Sequence, residues 1–587
     1  MDYQLITTPD ALRAAVAQMA QATAIGFDTE TTALDPYQGR LRLVQLATPE
    51  AVWVLDVYQF AGDTRTDAAL EPLRELLAAP RPVKIAHNAK FDAKWVKVHL
   101  GAALGGVFDT LLASQLISAG DTDDRHNLEA VVGRFLHKPL DKSEQRSDWN
   151  APELSDTQLR YAAADASVLL ELRERMIERL KAEGLVKVAQ IEFECVVPLA
   201  SLELAGFAFD PERWREVLRR VETERDQRAD ELQELLSEGV AQGSLFGRAE
   251  INLDSQAQLT GVLKRLGVPM PDSTRSWKLQ PLAAEYPVIA KLLEYRAVQK
   301  AVTSFGETFL GAVHPVTGRL HADFRQIGAP SGRMACSSPN LQQVPHDPAY
   351  RRCFRAPAGR KLVIADYSQV ELRILAEVSG DEGFLAAFRA GADLHSATAA
   401  QVFNVALADV TPTQRGFAKQ LNFGIVYGIG APRFAMATGL SLDEADALMK
   451  RYFATYRGLD AWLTRAATQA TRERQARTLA GRLVRFRFDA NDRKAVSLTQ
   501  RLGKNIPIQG AASDIFKRAM RLVDDDLRGT SAQLVNVVHD EIVVECDAAD
   551  APAIAGRVTH AMCAAGEEYL KNVPVKVDAE IADEWLK

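Results

Sequence analysis

The chain has 587 residues, 47% of them hydrophobic and 25% charged, the balance of a globular protein long enough for three or four structural units. No apolar run approaches the roughly 20 residues a bilayer-spanning helix needs, and the opening MDYQLITTPDALRAAV is neither a signal peptide nor an Arg-rich transit peptide. The net charge of −7 excludes a uniformly basic nucleic-acid binder, although local basic surfaces remain open.

Up to about Lys187 the chain alternates strand-like and helix-like segments. AIGFD and VKIAHN read as short buried strands, and ALRAAVAQMA and LEPLRELLAA carry helical periodicity. That alternation predicts an α/β domain. A charged helical region follows, roughly Glu192 to Phe309, with PERWREVLRRVETERDQRADELQELLSE as an exposed arm. AVHPVTGRLHADF opens a third region of mixed strands and helices, which ends in the strand-like VPVKVDAEI. From Arg465 to Lys504 eleven Lys/Arg face three Asp/Glu, a solvated face or a nucleic-acid surface. Cys195, Cys336, Cys353, Cys546 and Cys563 lie far apart without a CxxC pair. This argues against structural zinc and disulfides and fits a reducing cytosol, so the expected location is the cytoplasm of a bacterium or of a phage's host.

Five residues in the first region could carry chemistry. Asp28 and Glu30 in GFDTETT are two apart on a strand and so share a face. Asp92 in AHNAKFDAKWV follows another strand. Tyr161 and Asp165 in YAAADASVLLEL are four apart on a helix, one turn above each other. Converging carboxylates repel unless a cation neutralises them, and Mg²⁺ suits carboxylate oxygens. Two such ions can generate a hydroxide and steady the leaving oxygen of a phosphodiester. Each fragment alone reads as ordinary surface acid; the ordered set is more specific. It resembles the DEDD exonuclease superfamily, in the subclass with tyrosine in the third motif. The resemblance implies metal ligation by Asp28, Glu30, Asp92 and Asp165, with Tyr161 orienting the attacking water. QRSDWNAPELSDTQLRYAAADA is also similar to ribonuclease D-like domains, so this region alone leaves a DNA proofreader and an RNA trimmer both open.

The C-terminal half holds a second acidic pair. In KLVIADYSQVELRILAEVSGD an apolar strand from Leu362 to Ala365 delivers Asp366 at its end and turns into a helix. LVNVVHDEIVVEC reads as two strands joined at His539-Asp540, a hairpin whose tip can present Asp540 and Glu541 beside Asp366. Two aspartates on adjacent strands can hold two Mg²⁺ ions, the arrangement that phosphoryl transfer requires. Between them lies TPTQRGFAKQLNFGIVYGIG. Thr411 suits an N-cap, Pro412 the first helical position, and Gln414 completes a capping box. Arg415, Lys419, Phe423 and Tyr427 then recur every fourth residue as one slowly drifting stripe. Two cations near a helix N-terminus favour phosphate, and two rings suit a base. A core stripe flanked by solvated basic residues is the competing reading.

These blocks resemble motifs A, B and C of family A DNA polymerases, the bacterial polymerase I type, and the likeness covers nearly the whole chain. GAPSGRMACSSPNLQQVP, DLHSATAAQVFN, TLAGRLVRF and NIPIQGAASDIFKRAM extend it. The implied architecture is multidomain α/β: a ribonuclease H-like DEDD exonuclease (1–187), then a right-hand polymerase. Its parts would be a helical thumb (188–310), palm (311–395), fingers (396–495) and the rest of the palm (496–587). The resemblance implies catalytic metal binding by Asp366, Asp540 and the backbone carbonyl of Tyr367, with Glu541 beside them. It implies Arg415, Lys419 and His395 on the triphosphate, Phe423 beside its sugar, Glu371 as a gate against ribose, and Gln369 among the residues that bind the nucleotide. Tyr427 would border the nascent base pair. Arg333, Gln343, Gln509, His539, Arg482 and Arg485 would contact DNA, while Asn340 and Gln342 serve the loop. For both histidines a local structural hydrogen bond is the alternative.

The implied function is DNA synthesis from dNTPs on a primer–template, with proofreading of a single-stranded 3′ end. The cofactor would be two Mg²⁺ per site, Mn²⁺ able to substitute. A monomer suffices, no membrane is involved, and a processivity factor is left open. The chain starts almost directly at the exonuclease, so a 5′ nuclease is not expected; this is similar to phage-encoded and some stand-alone bacterial polymerases. GAPSGRMACSS departs from the usual bacterial TATGRLSS. A ribonuclease D-like exonuclease with a degenerate polymerase module, and a non-enzymatic DNA-binding scaffold, are the rivals. Both predict damaged catalytic positions, whereas Asp366, Lys419 and Asp540 are all present.

Overall fold

A computed structural model describes residues 2–60, 63–121, 123–237, 251–426 and 428–586. By internal contacts it divides into two compact units. The first comprises Met1–Gly206, Ala322–Ser337 and Ala358–Ala582, the second Phe207–His321, Ser338–Pro357 and Asp583–Lys587.

The first unit opens with a six-stranded sheet: β1 (Gln4–Ile6), β2 (Ala24–Thr31), β3 (Leu41–Ala47), β4 (Val52–Asp56), β5 (Val83–Ala86) and β6 (Val107–Asp109), in the order β1-β4-β3-β2-β5-β6. β2 runs antiparallel to β3 and parallel to β5, so it sits in the middle of the sheet. The strands expected at AIGFD and VKIAHN are β2 and β5, and the expected helices are Pro9–Met19 and Glu71–Ala78. Apolar side chains of β2, β3 and β4, among them Ile25, Phe27, Val44, Trp53 and Leu55, are fully buried against flanking helices. This burial fixes the central strand rigidly.

A second sheet in the same unit has the order Gln533–Val538, Glu541–Asp547, Arg360–Tyr367, Val577–Ala582, antiparallel throughout. Its central strand buries Leu362, Val363, Ile364 and Ala365 completely. That explains the uninterrupted apolar run ahead of Asp366, since a central strand covered on both faces needs no polar alternation. The 35-residue helix Arg493–Leu527 packs on the helix Ala551–Glu567. Around them stand the helices Leu394–Phe403, Pro412–Val426, Leu442–Thr455 and Arg457–Glu473. Thr411 Oγ1 accepts from Gln414 N (3.2 Å) and Gln414 Oε1 accepts from Thr411 N (2.9 Å), the capping box expected there.

One element of the first unit carries charge where apolar packing would be expected. Glu192, Arg482, Asp514 and Lys517 are all buried. Arg482 pairs with Glu192 and, at 2.7 Å, with Asp514; Lys517 donates to Glu192 Oε1 at 2.6 Å. Two positive and two negative groups balance, and Thr478 and Gln326 supply further hydrogen bonds. A buried charge is tolerated when it is paired and hydrogen-bonded in this way. The cluster ties the helix Val186–Ala205 to the hairpin Gln475–Arg485 and to the helix Arg493–Leu527.

In the second unit the helix Pro211–Ser237, the expected arm, lies along the helix Pro287–Phe305. Leu232, Leu236, Leu292 and Tyr295 form its apolar seam. Arg228–Glu294 and Lys291–Glu231, both 2.7 Å, decorate the outside. Trp214 stacks on Phe309 at 4.6 Å between centroids, and its Nε1 donates to Phe305 O (3.0 Å). Trp585, near the C-terminus, closes the same aromatic cluster through Phe207 and Phe354. Among the described residues no helix is long and apolar enough to cross a membrane.

Candidate active sites

The first site sits on β2. Alternation places Asp28 and Glu30 on one face, and the helix Asp156–Ala182 crosses that face. Gly26 permits the crossing: a Cβ there would lie 2.0 Å from Ala166 O, so only glycine lets the helix come so near. Asp165, the neighbour of Ala166, thereby reaches the strand. Carboxylate oxygens of Asp28, Glu30 and Asp165 lie within 4.8 Å of one another.

Burial, with repulsion from Asp92, Glu30 and Asp165, holds the Asp28 carboxyl well above the usual range. Burial and Asp165 push Glu30 up to about 8, and burial also raises Asp165. The Tyr161 phenol is raised by burial and by Asp165 beside it. Crowded, desolvated acids of this kind need a positive charge to ionise together. Asp165 Oδ1 is buried without a hydrogen-bond partner. A hard divalent cation with oxygen ligands fits this donor set.

Asp92 is placed differently from its expected partners. It lies on the helix Ala89–Trp95, is 2% exposed, and accepts from Thr29 Oγ1 at 2.6 Å. Thr29 points to the opposite face of β2 from Asp28 and Glu30. Asp92 therefore stands outside the three-carboxylate cluster, although its charge still raises Asp28. Burial raises Asp92 itself to about 7 against the opposing Thr29 bond. Asp109 orients this region: its carboxylate accepts from Ala89 N (2.8 Å) and Leu111 N (2.8 Å), joining the starts of two helices.

Sequence reasoning missed Lys142. Its Nζ donates to Asp165 Oδ2 at 2.6 Å and reaches Tyr161 Oη at 3.3 Å. It lies outside helices and strands, with no periodicity to mark it.

The second site forms on the second sheet. Asp366 is in register with Glu541 on one side and Asp578 on the other. Tyr367 N donates to Asp540 O (3.3 Å), which brings the hairpin tip to the strand end. His539 takes a left-handed conformation (φ 56°) to make that turn and is exposed. Burial and the Asp366 charge raise Asp540 to about 7. Arg333 pairs closely with Glu371, and both act electrostatically on Asp540. Arg333, Asp366, Glu371 and Asp540 are thus brought together. Tyr367 is buried and donates its hydroxyl to Met562 O (2.6 Å). Gln369 begins the helix Val370–Ser379 at φ 56°, its Oε1 buried without a partner.

On the helix Pro412–Val426, Arg415 and Lys419 are exposed and Phe423 is half-buried. Tyr427 lies outside the described residues. Arg415 donates to both oxygens of Asp393, at 2.6 and 3.3 Å. Burial would raise Asp393, but Arg415 and Ser396 outweigh it and bring the carboxyl down to about 2. Asp393 also caps the helix Leu394–Phe403. His395 is 3% exposed, with Asn422 Nδ2 3.1 Å from its Nδ1, so the local hydrogen bond left open by the sequence is present. Tyr452 in turn donates to Asn422 Oδ1 (3.0 Å). Asp393 and Asn422 lie inside the segments DLHSATAAQVFN and TPTQRGFAKQLNFGIVYGIG without a role read for them there, and Tyr452 lies in neither.

One expected DNA contact is corrected. Arg482 is 2% exposed, and its guanidinium is committed to Asp514 and Glu192. A side chain enclosed by protein cannot reach a phosphate. Its basic neighbours are partly spent as well: Arg485 pairs with Glu183, Arg487 with Asp121 (2.6 Å), and Arg477 donates to Glu183 O (3.0 Å). This part of the basic segment fastens the first domain. Arg465, Arg493, Lys494 and Arg501 remain exposed. Gln509 is half-buried on the helix Arg493–Leu527. Gln343 belongs to the second unit, in a short turn where Asn340 Oδ1 accepts from Gln342 N (3.1 Å).

Comparison with known proteins matches residues 215–587 to the family described as DNA polymerase family A. Residues 3–181 match a 3′-5′ exonuclease family. DNA polymerase I of Aquifex aeolicus is 34% identical, with 100% of both chains covered. DNA polymerase I of Pseudomonas aeruginosa is 33% identical over 100% of this chain and 66% of its own length; that of Chloroflexus aurantiacus is 31% identical over 99% and 63%. A solved structure of the POL domain of Pol1 from M. smegmatis, in complex with DNA primer-template and dNTP, superposes with a TM-score of 0.85 at 26% identity, covering 99% of each chain.

Proposed function

The chain belongs to DNA polymerase family A, and from that membership we propose which of its residues carry its two chemistries. It is a template-directed DNA polymerase with a 3′-5′ proofreading exonuclease. The observation that supports our assignment is the gathering of two separate carboxylate sets, one on each sheet of the first unit.

For synthesis, Asp366 and Asp540 are the metal ligands, with Glu541 and the Tyr367 carbonyl beside them. For excision, Asp28, Glu30 and Asp165 are the ligands, with Asp92 as the fourth once its Thr29 bond is relaxed. At each site two Mg²⁺ ions, or Mn²⁺ in their place, would sharpen the attacking oxygen and neutralise the leaving one. Tyr161 directs its hydroxyl at the water that attacks the 3′-terminal phosphodiester. Arg415 and Lys419 bind the triphosphate at the N-terminal half of their helix, where backbone N–H groups also favour an anion. Arg415 has to exchange Asp393 for that phosphate, which makes Asp393 a holder of the empty arginine.

Phe423 lies toward the sugar, Gln369 belongs to the nucleotide site, and Tyr427 borders the base pair. Glu371 closes against C2′, so that a ribose hydroxyl has no room. Arg333, Gln343, Gln509 and His539 take primer–template, together with the exposed Arg465, Arg493, Lys494 and Arg501. His395 assists the triphosphate through the ring that Asn422 holds. The exonuclease, thumb, palm and fingers are assigned the residue ranges given above, with the helix Val186–Ala205 in the first unit and so apart from the rest of the thumb range. The reading needs no second subunit and no membrane, and places the work in the cytoplasm.

The experiment is excision of a mismatched primer by Asp28→Ala with Glu30→Ala. We expect mismatch removal to be abolished and extension of a matched primer to continue. Loss of both together would refute the two-site assignment.

A further inference from the structure

We propose that Lys142 is a positioning residue of the excision site: the resident counter-cation that holds Asp165 while no metal is bound and competes with the metal for it. The proposal rests on Asp28, Glu30 and Asp165 being the metal ligands.

Three carboxylates with oxygens within 4.8 Å, largely out of water, repel one another. The fold nevertheless closes the helix Asp156–Ala182 onto β2, and a positive charge beside Asp165 offsets part of that repulsion. Lys142 supplies it through Asp165 Oδ2 at 2.6 Å. It is not a wandering surface lysine. Its side chain is 19% exposed, its Nζ reaches Tyr161 Oη at 3.3 Å, and it stands 5.2 Å from the centroid of the Tyr161 ring. Its charge acts favourably on Glu30 and Asp28 as well as on Asp165.

The same contact sets a limit on the metal. Asp165 uses Oδ2 for the ammonium, and its Oδ1 is buried without a hydrogen-bond partner. A divalent cation that takes Oδ1 meets a positive charge on the other oxygen of the same carboxylate. One that takes Oδ2 must displace the ammonium. Both routes weaken metal retention, because like charges a few ångströms apart in a poorly solvated site repel strongly. Lys142 therefore lets the excision site stay folded without metal and makes its loading depend more steeply on metal concentration. The Arg333–Glu371 pair stands beside the second site.

The test is a calorimetric Mn²⁺ titration of the full chain. Parent, Lys142→Met, Lys142→Gln and Lys142→Arg are compared. Asp28→Asn with Glu30→Gln serves as the reference that reports the other site alone. With the reference isotherm subtracted, Met and Gln variants should bind Mn²⁺ about ten-fold or more tightly than the parent, and Arg should match the parent. The Met variant's metal-free Tm should fall, and saturating Mn²⁺ should restore it. The Gln variant keeps a donor to Asp165 and decides the matter if Met does not fold. Unchanged or weaker Mn²⁺ affinity in the neutral variants would overturn the proposal. Identical isotherms for parent and reference would instead overturn the ligand assignment beneath it.

Discussion

Gly26→Ala is a single-methyl test of how the excision site is assembled. The added Cβ would sit 2.0 Å from Ala166 O and 3.4 Å from the Ala47 Cβ, whereas ordinary contacts begin near 3.4 Å. The obstacle is a helix backbone, not the end of a flexible side chain, so the helix Asp156–Ala182 or β2 must move. The shift required is roughly 1 Å, and overpacking on this scale costs about 1–3 kcal/mol. Asp165 and Tyr161 ride on that helix, and Asp28 and Glu30 on that strand. Displacing reacting groups by about 1 Å can cost on the order of 10²-fold in rate. We expect excision of a mismatched primer, followed by single-turnover quench, to fall by about that factor, while matched extension stays near parental. Parental excision would show that the close approach at Gly26 does not set the carboxylate geometry. Equal loss of extension would show that the substitution unfolds more than the site.

Asp540→Asn removes one charge from the synthesis site without changing shape. Extension should drop by roughly 10³-fold, with primer–template binding and excision retained, and near-normal extension would remove Asp540 from its role. Glu371→Ala should lower the ratio of kcat/KM for dCTP over CTP by roughly ten-fold or more with a moderate loss of dCTP use; an unchanged ratio would move the sugar gate elsewhere, Phe423 being next. Metal binding to the excision site should release protons at about pH 6.5, because Glu30, held at about 8, and Asp28, held well above its usual range, must ionise to become ligands. Both pKa values are raised in the folded state, so the stability these groups contribute is present at low pH and lost as pH rises toward 8; Mn²⁺ protection against unfolding should therefore grow with pH. Titration in buffers of different ionisation enthalpy measures that release, and none at pH 6.5 would contradict the raised values.

Local rules carried much of the fold. The short apolar run AIGF marked the strand bearing Asp28 and Glu30, whose spacing of two put them on one face, and an i,i+4 pair put Tyr161 and Asp165 on one face of a helix. The continuous apolar runs around Asp366 and His539-Asp540 marked a buried hairpin and its central neighbour. Thr411 and Gln414 announced a helix start that the structure has in full. Long-range pairing was not legible. Lys142 is 23 residues from Asp165 in sequence and meets it only in the fold. Arg482 stands in a basic run that suggested DNA, yet its partners Glu192 and Asp514 are 290 and 32 residues away. Trp585 and Trp214 join one aromatic cluster from opposite ends of the polymerase sequence. Asp92 shows a subtler limit: its position after a strand was foreseeable, but not its hydrogen bond from Thr29, on the face of β2 opposite Asp28 and Glu30.

The most direct measurement extends matched and mismatched primers on one template, with four dNTPs and Mg²⁺, and follows both product length and 3′-end loss. The account predicts immediate elongation of the matched primer. The mismatched primer should shorten first and then elongate, and Asp28→Ala with Glu30→Ala should suppress only the shortening. Shortening without any elongation of the matched primer, or elongation that survives Asp366→Asn, would contradict it.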